Sequence, residues 1–87
     1  MTTLPAAGVN PFPENSIEKR VYTYIDSLEK YIPIPNDRNR LSFCLVKYLK
    51  GEGDKPAILL DSTKVKFEGI EAKALAALID SEIEKIK

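Results

Sequence analysis

The chain has no histidine, no tryptophan and a single cysteine. Without histidine it lacks the commonest general base and the commonest metal ligand together. With Cys44 as the only thiol, a zinc site would have to rest on carboxylates, and no stretch spaces carboxylates as an EF-hand loop does. One cysteine also builds no intramolecular disulfide framework, which points to a reducing setting. No apolar run approaches the roughly 20 residues of a spanning helix, and the first 13 residues carry no basic region of the kind that opens a secretory signal. A cytoplasmic protein without membrane contact is therefore expected. Glycine is sparse, and the one glycine-rich stretch, Gly51-Glu52-Gly53-Asp54-Lys55, stands after a helical pattern and before Pro56. A phosphate loop needs a strand before it and a helix after it. These absences leave no catalytic or cofactor signature, so no cofactor, no metal and no enzymatic activity are expected.

What remains is ordinary for a folded domain. At 87 residues, with 44% hydrophobic and 30% charged side chains, the chain fits one domain that buries roughly 60–65% of its unfolded surface. The core is thin, and self-association would add to it. Formal charge is zero, which argues against indiscriminate nucleic-acid binding but conceals an imbalance. Residues 33–51 hold Arg38, Arg40, Lys47 and Lys50 against Asp37 alone.

Residues 1–13 contain Pro5, Pro11 and Pro13 with Gly8 and predict a flexible arm, whose end Val9 and Phe12 can pin to the body. Residues 14–87 then form the single globular domain. A first helix is expected from about Glu14, capped by Asn15 or Ser16, with Ile17, Val21, Tyr24, Leu28, Tyr31 and Ile32 on its apolar face and Ile25 on the flank. Pro33 and Pro35 end it at Ile32. A second helix is expected from Asp37, capped by Asn36 or Asp37, to a C-terminal stop at Gly51. Ala57-Ile58-Leu59-Leu60, the turn-forming Asp61-Ser62-Thr63, and the alternating Lys64-Val65-Lys66-Phe67-Glu68 together predict a β-hairpin. A last helix follows from Ile70 to Ile86, with Ala72, Leu75, Ala76, Ile79, Ile83 and Ile86 on one face. The expected fold is α+β in the order α-α-β-β-α.

The second helix carries the functional signal. Projected at about 100° per residue, Leu41, Cys44, Leu45, Tyr48 and Leu49 form one stripe, with Cys44 as a small buried hydrophobe. Arg40, Phe43, Lys47 and Lys50 gather on the other side. Arg38 and Arg40 fall in the first turn, where the positive helix end disfavours cations by roughly 0.3–1 kcal/mol. Phe43 and Val46 lie off the core stripe, and leaving both in water would forgo about 1.5–3 kcal/mol each. Either another element of the chain or a partner has to cover them. The leading expectation is a non-enzymatic protein-interaction module, a small regulator or adaptor, homodimeric, with Phe43 and Val46 at the contact. The alternative is a nucleic-acid-binding accessory protein, with Arg38, Arg40, Lys47 and Lys50 on phosphates or on an acidic partner and Phe43 stacking on bases.

Overall fold

A computed structural model describes residues 12, 13 and 15–86. The arm expected over residues 1–13 lies outside them, apart from Phe12 and Pro13. Phe12 packs against the body, its ring centroid 5.0 Å from that of Tyr22.

Among the described residues the fold consists of four helices: α1 (Ile17–Asp26), α2 (Pro35–Leu49), α3 (Pro56–Ser62) and α4 (Ala72–Ile86). No strand occurs among the described residues, so the expected α+β fold and its β-hairpin are replaced by an all-helical one. Pro56 explains half of this correction. Its fixed φ and missing N–H suit the first turn of a helix, and Lys55 stands before it in the extended conformation of an N-cap. Ala57 to Leu60 then continue the helix, with Leu59 and Leu60 buried and Ile58 exposed. Thr63 closes α3 by donating its hydroxyl to the Leu59 carbonyl, and Lys64 turns the chain away at a φ of +54°.

The alternation over Lys64–Glu68 is real without being a strand. Val65 is buried and Phe67 half-buried, while Lys64, Lys66 and Glu68 face water. With no neighbouring strand, this segment finds its hydrogen bonds elsewhere. The Lys66 amide donates to Asp37 Oδ2 at 2.9 Å, and the Glu68 amide donates to the Tyr31 carbonyl at 2.8 Å.

The helix ends follow from capping chemistry. Ser16 caps α1 by accepting the Lys19 amide at 3.0 Å, as its hydroxyl predicts. Regular helix stops at Asp26, six residues before the expected end. Tighter turns carry the chain on, with the Leu28 amide on the Ile25 carbonyl and the Tyr31 amide on the Leu28 carbonyl, and Ser27 donates its hydroxyl back to the Tyr24 carbonyl. Such local side-chain bonds compete with the helical ladder. The buried face is also rotated from the expected one. Val21, Tyr22, Ile25, Leu28 and Ile32 are buried, whereas Ile17, Tyr24 and Tyr31 are half-buried.

The second helix starts at Pro35, earlier than the expected cap at Asn36 or Asp37, because proline fits the first helical position as well here as at Pro56. It ends as expected. Gly51 adopts a φ of +81°, its amide meets the Tyr48 carbonyl, and the Glu52 amide meets the Lys47 carbonyl at 2.8 Å. This is the Schellman pattern, which favours glycine at the left-handed position.

Each helix packs on the next in chain order, and α4 returns to α1. The core between them is built from Ile25, Ile32, Leu41, Leu45, Leu75 and Ile79, each with its side chain fully enclosed. No helix among the described residues is long and apolar enough to cross a membrane.

Candidate interaction surface

Arg38 sits in the first turn of α2 and reaches back to the segment that leaves α1. It is 7% exposed. Its Nη1 donates to the Ile32 carbonyl at 2.8 Å, and its Nε lies 3.4 Å from Asp26 Oδ1. The guanidinium thus binds the carboxylate of Asp26, the last residue of α1, and the Ile32 carbonyl at the end of the turns that follow it. That placement offsets its poor position at the start of α2.

Arg40 has a similar duty. Its Nη2 donates to Asp37 Oδ1 at 2.9 Å and to the Thr63 carbonyl at 3.0 Å. Asp37, itself buried, holds Arg40 with one oxygen and the Lys66 amide with the other. Together they fasten the end of α3 and the segment after it onto the start of α2. The four basic residues therefore do not form one free stripe. Arg38 is interior, and Arg40 is bonded within the chain.

The C-terminal half of α2 is different. Phe43 is half-buried, and the Lys47 ammonium stands 5.0 Å from its ring centroid, a cation–π arrangement one turn along the helix. Lys50 pairs with Glu18 Oε2 at 3.0 Å, with about half of its side chain exposed (49%). Glu18 is held below the usual carboxylate range, first by a hydrogen bond from its own backbone amide at the start of α1 and then by Lys50. Val46 is 8% exposed, so the chain covers most of it. Phe43, Val46, Lys47, Lys50 and Glu52 line a shallow cavity of about 450 Å³. Gly53 packs against the last turns of α2. A Cβ there would lie 3.1 Å from the Tyr48 backbone nitrogen and 3.3 Å from Lys47 Cβ, so the turn after α2 is folded tightly against its last turn.

Cys44 is half-buried rather than fully enclosed as expected, and it packs against the core beside Tyr22. Burial, followed by the neighbouring Cys44 and Glu18, pushes the Tyr22 phenol up to about 12.

A second and larger hollow, about 530 Å³, lies between α1 and α4, with Arg20, Tyr24, Glu82 and Lys85 in its wall. The Tyr24 hydroxyl donates to the Leu78 carbonyl at 3.3 Å, and burial and then Glu82 raise its pKa. Sequence reasoning missed this groove because it depends on how two helices distant in sequence are packed. Among the described residues, no group of three or more His, Cys, Asp or Glu converges as a metal site.

No family model, curated protein or solved structure matches the chain. A functional reading therefore rests on its own geometry.

Proposed function

We propose that this chain is a small non-enzymatic interaction module, acting as a regulator or adaptor, whose contact surface for a protein partner is the outer side of α2 around Phe43. The observation that supports it most is the pairing of a half-buried aromatic ring with a lysine stacked over it at 5.0 Å, on the rim of a shallow cavity flanked by Lys50 and Glu52. An aromatic anchor with an amphipathic lysine beside it suits an extended or helical peptide that offers one apolar side chain between carboxylates. Val46 contributes as the floor of the cavity more than as an exposed anchor. The nucleic-acid alternative is less favoured, because Arg38 and Arg40 already hold the chain together and Lys50 already has a carboxylate partner. A reducing, cytoplasmic setting suits the single half-buried thiol.

The test is a fluorescence titration with short peptides carrying Leu or Phe between acidic residues, run beside single- and double-stranded oligonucleotides at two salt concentrations. Saturable peptide binding that Phe43→Ser weakens by about 1–3 kcal/mol, with unchanged helicity, supports the reading. Oligonucleotide binding with a steep salt slope and no peptide binding would replace it with the nucleic-acid reading.

A further inference from the structure

The cavity beside Phe43 is bordered by charges of both signs, and only some of them are satisfied within the chain. Lys50 is paired with Glu18 at 3.0 Å. Lys47 and Glu52 line the same cavity, both exposed, and neither has an ion pair among the described residues. With Glu18 offsetting Lys50, the surface carries one unmatched charge of each sign.

The two unmatched charges are set apart. A lysine on a helix leans toward the helix N-terminus, and Lys47 does so in placing its ammonium 5.0 Å from the ring centroid of Phe43, one turn earlier. Its charge rests on a π face, where a carboxylate can still reach it. Glu52 is rooted beyond the last turn of α2, its amide on the Lys47 carbonyl at 2.8 Å. There the carbonyl end of the helix dipole adds to its negative charge. The cavity is therefore positive at its Phe43 end and negative at its Gly51 end.

This polarity selects among occupants. A purely acidic segment satisfies Lys47 and meets repulsion at Glu52, and a purely basic one meets the reverse. A segment with one charge of each sign, on either side of an apolar residue, satisfies both. Residues 1–11 contain no charged side chain, so that stretch supplies neither complement.

We infer that the partner segment recognised at α2 carries mixed charge: an apolar side chain on Phe43 and Val46, a carboxylate at Lys47, and an ammonium or guanidinium at Glu52. The inference rests on the reading of this surface as a peptide site and narrows it, since a cation takes the place of the carboxylate on the Glu52 side.

Fluorescence anisotropy of labelled helical peptides, titrated with the full chain at low salt, tests this. Each peptide carries a central Leu with charged residues one turn to either side, on the same helical face: Glu and Lys, two Glu, or two Lys. The mixed peptide is made in both orders, because a reversed helix presents its charges the other way round. The tighter mixed peptide should bind roughly three- to tenfold more strongly than the di-acidic one, and the margin should shrink at high salt. Glu52→Lys, a change at an exposed side chain, should invert the ranking and make the di-acidic peptide the tightest. Phe43→Ser should weaken every peptide alike. A di-acidic peptide that binds as tightly as the mixed ones, or a ranking that Glu52→Lys leaves unchanged, overturns the inference while the peptide-site reading stands. Failure of every peptide to bind removes both.

Discussion

Replacing Arg38 with alanine should damage the fold far more than a surface arginine would. The dominant loss is the charge-assisted bond at 2.8 Å to the Ile32 carbonyl, made at a residue only 7% exposed. Removing a hydrogen bond of this kind costs about 1.5–3 kcal/mol, because the buried carbonyl is left without its donor. The Asp26 contact adds little. At 3.4 Å, with the aspartate side chain 44% exposed, solvent screening limits it to a few tenths of a kcal/mol. Lost packing of the arginine stem brings the total to about 2–4 kcal/mol. For a domain of this size that is a drop of roughly 10–25 °C in Tm. Urea and thermal melts followed by circular dichroism measure it, with Asp26→Asn as the control that should cost under about 0.5 kcal/mol. Arg38→Lys should recover only part of the loss, since lysine keeps the charge without the fork. A loss below about 1 kcal/mol for Arg38→Ala would refute the reasoning and return Arg38 to the surface as a candidate phosphate contact.

Lys64→Gly should raise stability by about 0.5–1 kcal/mol in the same melts, because Lys64 holds a left-handed φ of +54° that glycine adopts without a Cβ penalty. Gly53→Ala should lower it by about 1 kcal/mol or more, since the new methyl meets backbone at 3.1 Å and the chain must shift. The Tyr22 phenol, raised to about 12 by burial, keeps its proton in the folded chain after the unfolded one has lost it. Its stabilisation is therefore complete below about pH 10 and is lost as pH rises from there through about 12, a fall of about 2–3 kcal/mol that Tyr22→Phe should remove from the alkaline limb of a pH–stability curve.

Much of the helical framework was legible before any coordinates. Ser16 as a cap, Gly51 as a stop and the apolar spacing from Leu75 to Ile86 each act through local chemistry, and each behaves as that chemistry predicts. The hairpin failed for a physical reason. Ala57–Leu60 is short and wholly apolar, a pattern shared by buried strands and buried helices, and the arbiter was Pro56 immediately before it. The alternation at Lys64–Glu68 signalled one buried edge but not what satisfies its backbone, which is a carboxylate and a carbonyl supplied by Asp37 and Tyr31. The basic residues show the same limit. Their types and spacing were plain, but Arg38 and Arg40 bond to carbonyls 6 and 23 positions away, and no pattern within one helix reveals that. Phe43 and Lys47, one turn apart on a single helix, were legible for the opposite reason.

The most direct test of the interaction reading is amide shift mapping on the isotope-labelled protein, titrated separately with the tightest-binding acidic peptide and with a single-stranded oligonucleotide. The account predicts peptide-induced shifts centred on residues 43–52 and absent in Phe43→Ser, with the oligonucleotide causing only small, salt-sensitive changes. Shifts centred on Arg38 and Arg40 with the oligonucleotide, and none at Phe43 with any peptide, would contradict it.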